Sequence, residues 1–294
     1  MQRAVERIAN VQPAEFRTRF LAPGRPVIVT DGFTVGSGRR WSPGEFRDRF
    51  GELNVSLSGD FFSEHSRSTL REYIDLVERY ELRHLSEFDP LDQIPYLRLA
   101  YPGVGTDDFS ASFFEALREE WSRPYFLPKS LYLNPFDLSG TPPNVRRYPE
   151  WGIFISPKGA STALHVDRTQ DNAILAVASG RKAGVLFEPS IYATTRMHTE
   201  HWAREAGTLP PKTADALMVL NGMLPDYGDA TPWHFELGPG EVLFIPKRWP
   251  HEVFTVSACV TLTYNFIHLA DLDWTYIRSR LRNIFSFPVS GHPG

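Results

Sequence analysis

Six short β-rich runs, each cut by Gly or Pro, constrain this chain most. They are EWGIFIS from Glu150, NAILAVAS from Asn172, KAGVLFEP from Lys182, EVLFIP from Glu241, EVFTV from Glu252 and ACVTLTYNFI from Ala258. Strands this short, separated by turn residues, build a small antiparallel sandwich or barrel. They fall in residues 126–190 and 235–268. Residues 191–234 between them are irregular and rich in Pro, Thr, Asp and His. A segment that long between strands reads as a functional excursion rather than filler. The expected fold is therefore mainly β, with a core over residues 126–268 and helices on both flanks.

The N-terminal region, residues 1–125, reads as mostly helical with short strands between. PAEFRTRFLAP from Pro13 has helical spacing and is stopped by Pro23, and RPVIVTDG from Arg25 is a short β-rich run. SPGEFRDRFGE offers Ser42 as N-cap, Pro43 at the first helical position and Gly51 as stop. STLREYIDLVERY from Ser68 is the clearest amphipathic helix, with Leu70, Tyr73, Ile74 and Val77 on one face. FSASFFEALREEW from Phe109 reads as another. Within residues 269–294, DLDWTYIRSRLRNIF reads as a C-terminal helix. Its Trp274, Tyr276, Ile277, Leu281 and Phe285 offer either a packing face or a homodimer interface.

His165 and Asp167 stand in STALHVDRTQDN, and His251 follows GEVLFIP and a Trp249–Pro250 turn. On a strand, residues i and i+2 point to one face, so His165 and Asp167 can aim at a single point. A second strand can bring His251 there. A lone His on an apolar strand is usually a core residue, and His-x-Asp is common by chance. The Gly/Ser/Thr-rich turn before His165 and the stopped strand before His251 lift this trio above that background. Two imidazoles and one carboxylate, with the opposite side open, suit non-heme Fe(II) with O2 and a chelating cosubstrate. Mn, Ni and Zn accept the same donors. His198 and His201 form His-x-x-His without a companion Cys or a third local ligand, so no second site is drawn from them.

An acidic cosubstrate needs a cation. A Lys at the start of a strand can point inward as a partly desolvated point charge. Alternation places Lys182, Gly184 and Leu186 on one face and Arg181 and Val185 on the other, with Arg181 the competing cation. In ACVTLTYNF, alternation separates Thr261, Thr263 and Asn265 from Val260, Leu262, Tyr264 and Phe266. Both flanks of that strand are apolar, so its polar face is expected to line a wet cavity. Asn172, five residues after Asp167, either faces the same pocket or serves a turn.

The net charge of −4 and the absence of a long basic run argue against a nucleic-acid partner. The lone Cys259 excludes an intrachain disulfide and a Cys-built zinc site, and fits a reducing compartment. The start, MQRAVERIANVQPAEF, lacks a continuous apolar signal-peptide core, and no window reaches 18 apolar residues. The expectation is a cytoplasmic protein without a membrane partner.

Three core segments carry a family likeness: His165-Val166-Asp167; Gly180-Arg181-Lys182 ahead of Leu186-Phe187-Glu188-Pro189; and Gly240 through Pro246 with Trp249 and His251. RPVIVTDGF, Trp41 and FRDRFGE add to it. At these residues the chain resembles the JmjC and cupin-like Fe(II)/2-oxoglutarate oxygenases. The likeness is greatest to the group around the asparaginyl hydroxylase that modifies hypoxia-inducible factor. The resemblance implies a double-stranded β-helix of cupin or jelly-roll type. It implies Fe(II) held by His165, Asp167 and His251, and 2-oxoglutarate held by Lys182 and Thr162 with Asn265 nearby. A family Tyr corresponds to Tyr96 in PYLRLAYP or to Tyr132 in SLYLNPF. Thr162 has the wrong parity to share a face with His165 unless a bulge intervenes. The span from Asp167 to Gly180 is slightly longer than in relatives, which leaves the alignment of Asn172 open.

The implied activity uses O2, with ascorbate as reductant in vitro, and hydroxylates an unactivated C–H bond. The implied substrate is an amino-acid side chain in a protein, a peptide or a biosynthetic intermediate. N-methyl-lysine demethylation is the alternative within the class, and a non-catalytic ligand-binding cupin the alternative outside it. Halogenating relatives lose the carboxylate that Asp167 retains, so hydroxylation is favoured over halogenation.

Overall fold

The computed structural model describes residues 3–36, 38–58, 64–84, 87–88, 94–101, 111–133, 150–167, 171–190 and 231–274. Most of the excursion, His198, His201 and the C-terminal helix beyond Trp274, with its dimer face, lie outside the described residues. The elements begin with β1 (Arg3–Ala4), β2 (Glu6–Ile8), α1 (Pro13–Phe16), β3 (Val27–Val29) and α2 (Pro43–Phe50). There follow β4 (Asn54–Ser58), β5 (Glu64–Thr69), α3 (Leu70–Glu81), β6 (Leu97–Tyr101) and α4 (Ala111–Arg118). The core then runs through β7 (Tyr132–Leu133), β8 (Glu150–Ser156), β9 (Ser161–His165), β10 (Asn172–Leu186), β11 (Trp233–Leu237), β12 (Val242–Ile245) and β13 (His251–His268).

Two long strands, β10 and β13, pair antiparallel and organise everything else. The first half of β10 and the second half of β13 belong to a sheet ordered β2-β3-β12-β10-β13-β8-β6. The second half of β10 pairs with β11, and the first half of β13 pairs with β9. Each long strand thus crosses from one sheet to the other, and the result is a double-stranded β-helix. The crossing in β10 falls at Gly180, where its register against β13 shifts three times between Val177 and Lys182. Gly180 has φ +78°, and a Cβ there would lie 2.1 Å from the Ala258 carbonyl oxygen. Bulges bend a strand and increase its twist without ending it. NAILAVAS and KAGVLFEP are therefore one strand, as are EVFTV and ACVTLTYNFI. A Gly read as a break is a bend.

The apolar runs are continuous because both faces of the larger sheet are covered. Val242 and Phe244 pack into one core cluster while Leu243 and Ile245 pack into another. Ile174 and Ala176 part from Ala173, Leu175 and Val177 in the same way. Strands buried on both faces lose the polar alternation of half-exposed ones. The outer cluster holds Phe16, Phe20, Phe46, Tyr73 and Ile74 from the N-terminal helices. Burying each such side chain contributes roughly 1.5–3 kcal/mol.

Among the described residues, the N-terminal region combines helices with short strands between them, and the strands take part in the sheets. β2, β3 and β6 join the main sheet, and β4 and β5 form a hairpin of their own. Strands of three to six residues show no periodicity strong enough to compete with the Arg/Glu-rich helical segments around them. The helix expected from Pro13 is one α turn that continues as a π-helical turn, Arg17–Leu21. α2 follows the reading, with the Ser42 side chain accepting a hydrogen bond from the Glu45 amide. α3 starts one residue later than Ser68 suggests, because Thr69 and Glu72 form a reciprocal capping box. The Tyr73 hydroxyl donates to the Ile155 carbonyl (2.7 Å) and accepts from the Leu97 amide (3.1 Å). That pair of bonds ties α3 to β6 and β8 and fixes the backbone beside Tyr96. Among the described residues, no helix is long and apolar enough to cross a membrane.

Candidate metal centre and adjoining cavity

β9 ends at His165 and β13 begins at His251, and the two residues are direct register partners. Their ring centroids stand 4.2 Å apart. Asp167 lies two residues beyond the end of β9, off the strand itself. Its Oδ1 is 3.7 Å from His165 Nε2 and 4.0 Å from His251 Nε2. The three ligand atoms lie within 4.8 Å of one another. The expected meeting of three distant side chains is thus seen in the geometry.

His251 is oriented from behind. Its Nδ1 lies 2.9 Å from the Trp249 carbonyl oxygen, which assigns the proton to Nδ1 and leaves the Nε2 lone pair toward Asp167. Burial, and next the neighbouring His165, push the His251 imidazole down to about 4, against the opposing pull of Asp167 and Trp249. It is neutral at physiological pH. Burial pushes Asp167 up, but the His165 hydrogen bond and the two imidazoles outweigh it and hold the carboxyl below its ordinary value. A carboxylate beside neutral imidazole, with no thiolate, fits a borderline divalent ion such as Fe(II).

A cavity of about 210 Å³ opens between the two sheets. Thr162, His165, Asp167, His251 and Val253 line one side; Gly152, Phe154, Ala173, Leu175, Thr263 and Asn265 line the other, with Tyr96 at the wall. Thr162 reaches this face through a bulge. His251 pairs with His165, whereas Val253, two residues on, pairs with Thr162, three residues back. The extra residue in β9 reverses the parity that alternation predicts. Asn265 and Thr263 present the polar face of β13 to the cavity, as alternation predicts.

Lys182 is 1% exposed. Its Nζ donates to Tyr96 OH (2.9 Å), Ser156 Oγ (2.7 Å) and Thr255 Oγ1 (2.7 Å). All three acceptors are neutral, and among the described residues no carboxylate pairs with this ammonium. Arg181 points the other way and pairs with exposed Glu236. Tyr132 packs on Phe266 and His268, away from the cavity lining, so of the two tyrosines Tyr96 belongs here. Behind Tyr96, the Arg98 guanidinium lies 3.8 Å from its ring centroid and donates to Thr162 Oγ1 (3.0 Å). Sequence reasoning missed Ser156, Thr255 and Arg98. Alternation alone could have raised the first two, since Ser156 shares a face with Gly152 and Phe154, and Thr255 shares one with His251 and Val253.

Asn172 is a correction. It does not line the cavity. Its Oδ1 accepts from the Lys247 amide (3.0 Å) and its Nδ2 donates to Asp271 Oδ2 (2.5 Å). Asn172 opens β10 on the side where the chain after β12 turns, so its amide is consumed by that turn.

The profile of the cupin-like domain family matches residues 13–271. Among curated proteins, the chain is 24% identical over 96% of its length to "Arginine-specific demethylase JMJ22" of Arabidopsis thaliana, covering 48% of that protein. It is 24% identical over 90% of its length to "Bifunctional arginine demethylase and lysyl-hydroxylase psr-1" of Caenorhabditis elegans, covering 60% of it. It is 20% identical over 94% of its length to "2-oxoglutarate and iron-dependent oxygenase JMJD4" of Gallus gallus, covering 63% of it. The chain thus spans about half to three-fifths of these relatives. With the profile matched from the first helix to the end of the last core strand, the chain belongs to the cupin-like domain family.

Proposed function

We propose that this chain is an Fe(II)- and 2-oxoglutarate-dependent oxygenase that hydroxylates an unactivated C–H bond of an amino-acid side chain in a protein or peptide. One observation carries the reading: a buried lysine, with no carboxylate partner among the described residues, adjoins the cavity that holds a His/Asp/His cluster. A buried ammonium is costly unless an anion meets it. A dicarboxylate cosubstrate would supply that anion.

When bound, iron and 2-oxoglutarate supply the oxidation with O2, giving succinate, CO2 and one oxygen atom for the substrate. His165, Asp167 and His251 hold the ion. The Trp249 carbonyl fixes the His251 ring, and Asp167 contributes the negative charge. Lys182 with the Tyr96 and Thr162 hydroxyls would hold a cosubstrate carboxylate. Phe154, Ala173, Leu175, Ile245 and Val253 keep the interior apolar and limit water at the reacting centre. Asn265 and Thr263 add polar groups on the opposite wall.

The relatives named as a lysyl-hydroxylase and as arginine demethylases favour a side chain within a protein as substrate. Demethylation is the second reading supported by those names; it places the same hydroxylation on an N-methyl carbon and releases formaldehyde. A reducing, cytoplasmic setting belongs to the proposal. Its support is the single cysteine, buried and pushed up to about 11 by that burial.

The test uses purified protein with Fe(II), ascorbate, 2-oxoglutarate and candidate peptides. Succinate forms with the parent protein and stops with His165→Ala or Asp167→Ala. A one-oxygen mass gain marks hydroxylation, and formaldehyde marks demethylation. Succinate output untouched by both substitutions sinks the ligand assignment. A folded, metal-loaded protein that binds no 2-oxoglutarate points instead to a non-catalytic cupin.

A further inference from the structure

We propose that Asn172 and Asp271 form a buried clamp that positions the metal ligand His251 through the turn preceding it. The inference rests on the metal-centre reading above and extends it to residues outside the cavity.

The turn between β12 and β13 runs from Pro246 to Pro250. The Trp249 amide donates to the Pro246 carbonyl (3.2 Å), which makes Arg248 the third residue of a tight turn. Arg248 has φ +65°, a left-handed conformation that turns of this kind reserve mainly for Gly or Asn. Such a turn holds its shape only where its surroundings over-determine it. Here they do so at three points. The Lys247 amide donates to Asn172 Oδ1 (3.0 Å), and Asn172 Nδ2 donates to Asp271 Oδ2 (2.5 Å). Lys247 Nζ lies 3.7 Å from Asp271 and 3.1 Å from Asp273. The Arg248 guanidinium donates to Asp273 Oδ1 (2.9 Å).

The outcome is at the metal. Trp249 O, on this same turn, accepts from His251 Nδ1 and sets the rotation of the ring. Asn172 opens β10, and Asp271 lies just past the end of β13. The clamp thus joins three separate strand ends into the frame of one ligand. Asn172 and Asp271 touch neither metal nor cavity, so they are positioning residues. Outer partners that orient a ligating His typically govern 10- to 100-fold in metal affinity.

The experiment titrates Mn(II), a redox-stable probe, into the metal-free chain and follows free Mn(II) by electron paramagnetic resonance. Asn172→Ala raises the Mn(II) Kd by about 10- to 100-fold. The double exchange Asn172→Asp with Asp271→Asn restores an acceptor for Lys247 and a donor across the pair, and recovers most of the affinity. Glu120→Gln, outside the cavity lining and paired with Arg49 and Trp41, serves as the stability control: it lowers the unfolding midpoint but leaves the Mn(II) Kd unchanged. Should Asn172→Ala not fold, Lys247→Met carries the test, with a several-fold weaker Kd expected. Parent-like Mn(II) affinity in folded Asn172→Ala, or in Lys247→Met where that variant decides, overturns the clamp alone. So does an affinity loss that Glu120→Gln matches. A parent protein that binds no Mn(II) overturns the metal-centre reading itself, a distinguishable failure.

Discussion

Two cations in this molecule, half-buried Arg49 and buried Lys182, are handled in opposite ways. Arg49, on α2, meets the Glu120 carboxylate with both terminal guanidinium nitrogens, and Trp41 Nε1 donates to the same carboxylate (2.9 Å). That charge is cancelled inside the protein. Among the described residues, Lys182 has three hydrogen bonds, all to hydroxyls. Its bonding capacity is filled and its charge is not. The first arrangement holds two parts of the fold together and is complete as it stands. The second is complete only when an anion arrives. A buried charge balanced by the protein is structural, whereas one balanced only in hydrogen bonds identifies a ligand site.

The sharpest test of that contrast is Lys182→Met. Removing one partner of a buried ion pair costs about 3–5 kcal/mol, so 2-oxoglutarate affinity in metal-loaded protein falls by roughly two to four powers of ten. The ligand-free fold is as stable as the parent or more so, because a desolvated charge has gone and Thr255 already donates to Ser156 (3.0 Å). Calorimetric titration and urea unfolding read the two effects. Equal 2-oxoglutarate affinity in the variant erases the contrast.

Glu120→Gln acts the other way round. It leaves 2-oxoglutarate binding intact and lowers stability by about 1–3 kcal/mol, the usual cost of weakening a charged, mostly buried hydrogen-bonded group. pH gives a second handle. Burial pushes the Glu120 carboxyl up, but Arg49 and Trp41 outweigh it and hold the carboxyl below its ordinary 4.5. A carboxylate lowered by folding stabilises fully above its ordinary value and loses that contribution as pH falls through the lowered one. The stability gap between parent and Glu120→Gln is therefore widest near neutrality and closes in acid. A gap that stays constant down to pH 3 removes the electrostatic account.

The smallest effect belongs to Tyr96→Phe. It deletes one hydroxyl at Lys182 and keeps the ring on Arg98. Loss of about 1 kcal/mol, or a several-fold weaker 2-oxoglutarate Kd, is expected with little change in fold stability. An effect as large as that of Lys182→Met would mean that the hydroxyl, not the ammonium, carries the recognition.

Much of this was legible because alternation and turn chemistry are local. The inward Lys182 against outward Arg181 and the polar face of Thr263 and Asn265 follow from a period of two. The cap at Ser42 follows from side-chain chemistry at a helix start. What failed was longer in range. Thr162 needed an extra residue in β9 that pairing with β13 defines. Asn172 looked free for the cavity, yet Asp271, ninety-nine positions away, claims it. The hairpin of β4 and β5 hid among helices because its strands earn stability from pairing rather than from pattern.

By itself, the sequence settled the strand-rich core, the donor types at the metal and the inward face of Lys182, Thr263 and Asn265. These depend on backbone geometry and side-chain chemistry within a few neighbouring residues. Only the tertiary structure decided that Gly180 bends a strand rather than ending it, that Tyr96 rather than Tyr132 meets Lys182, and that Asn172 braces a turn. Each of these turns on which distant segment arrives alongside. That choice is made by packing and hydrogen bonding across the two sheets, which no local pattern encodes.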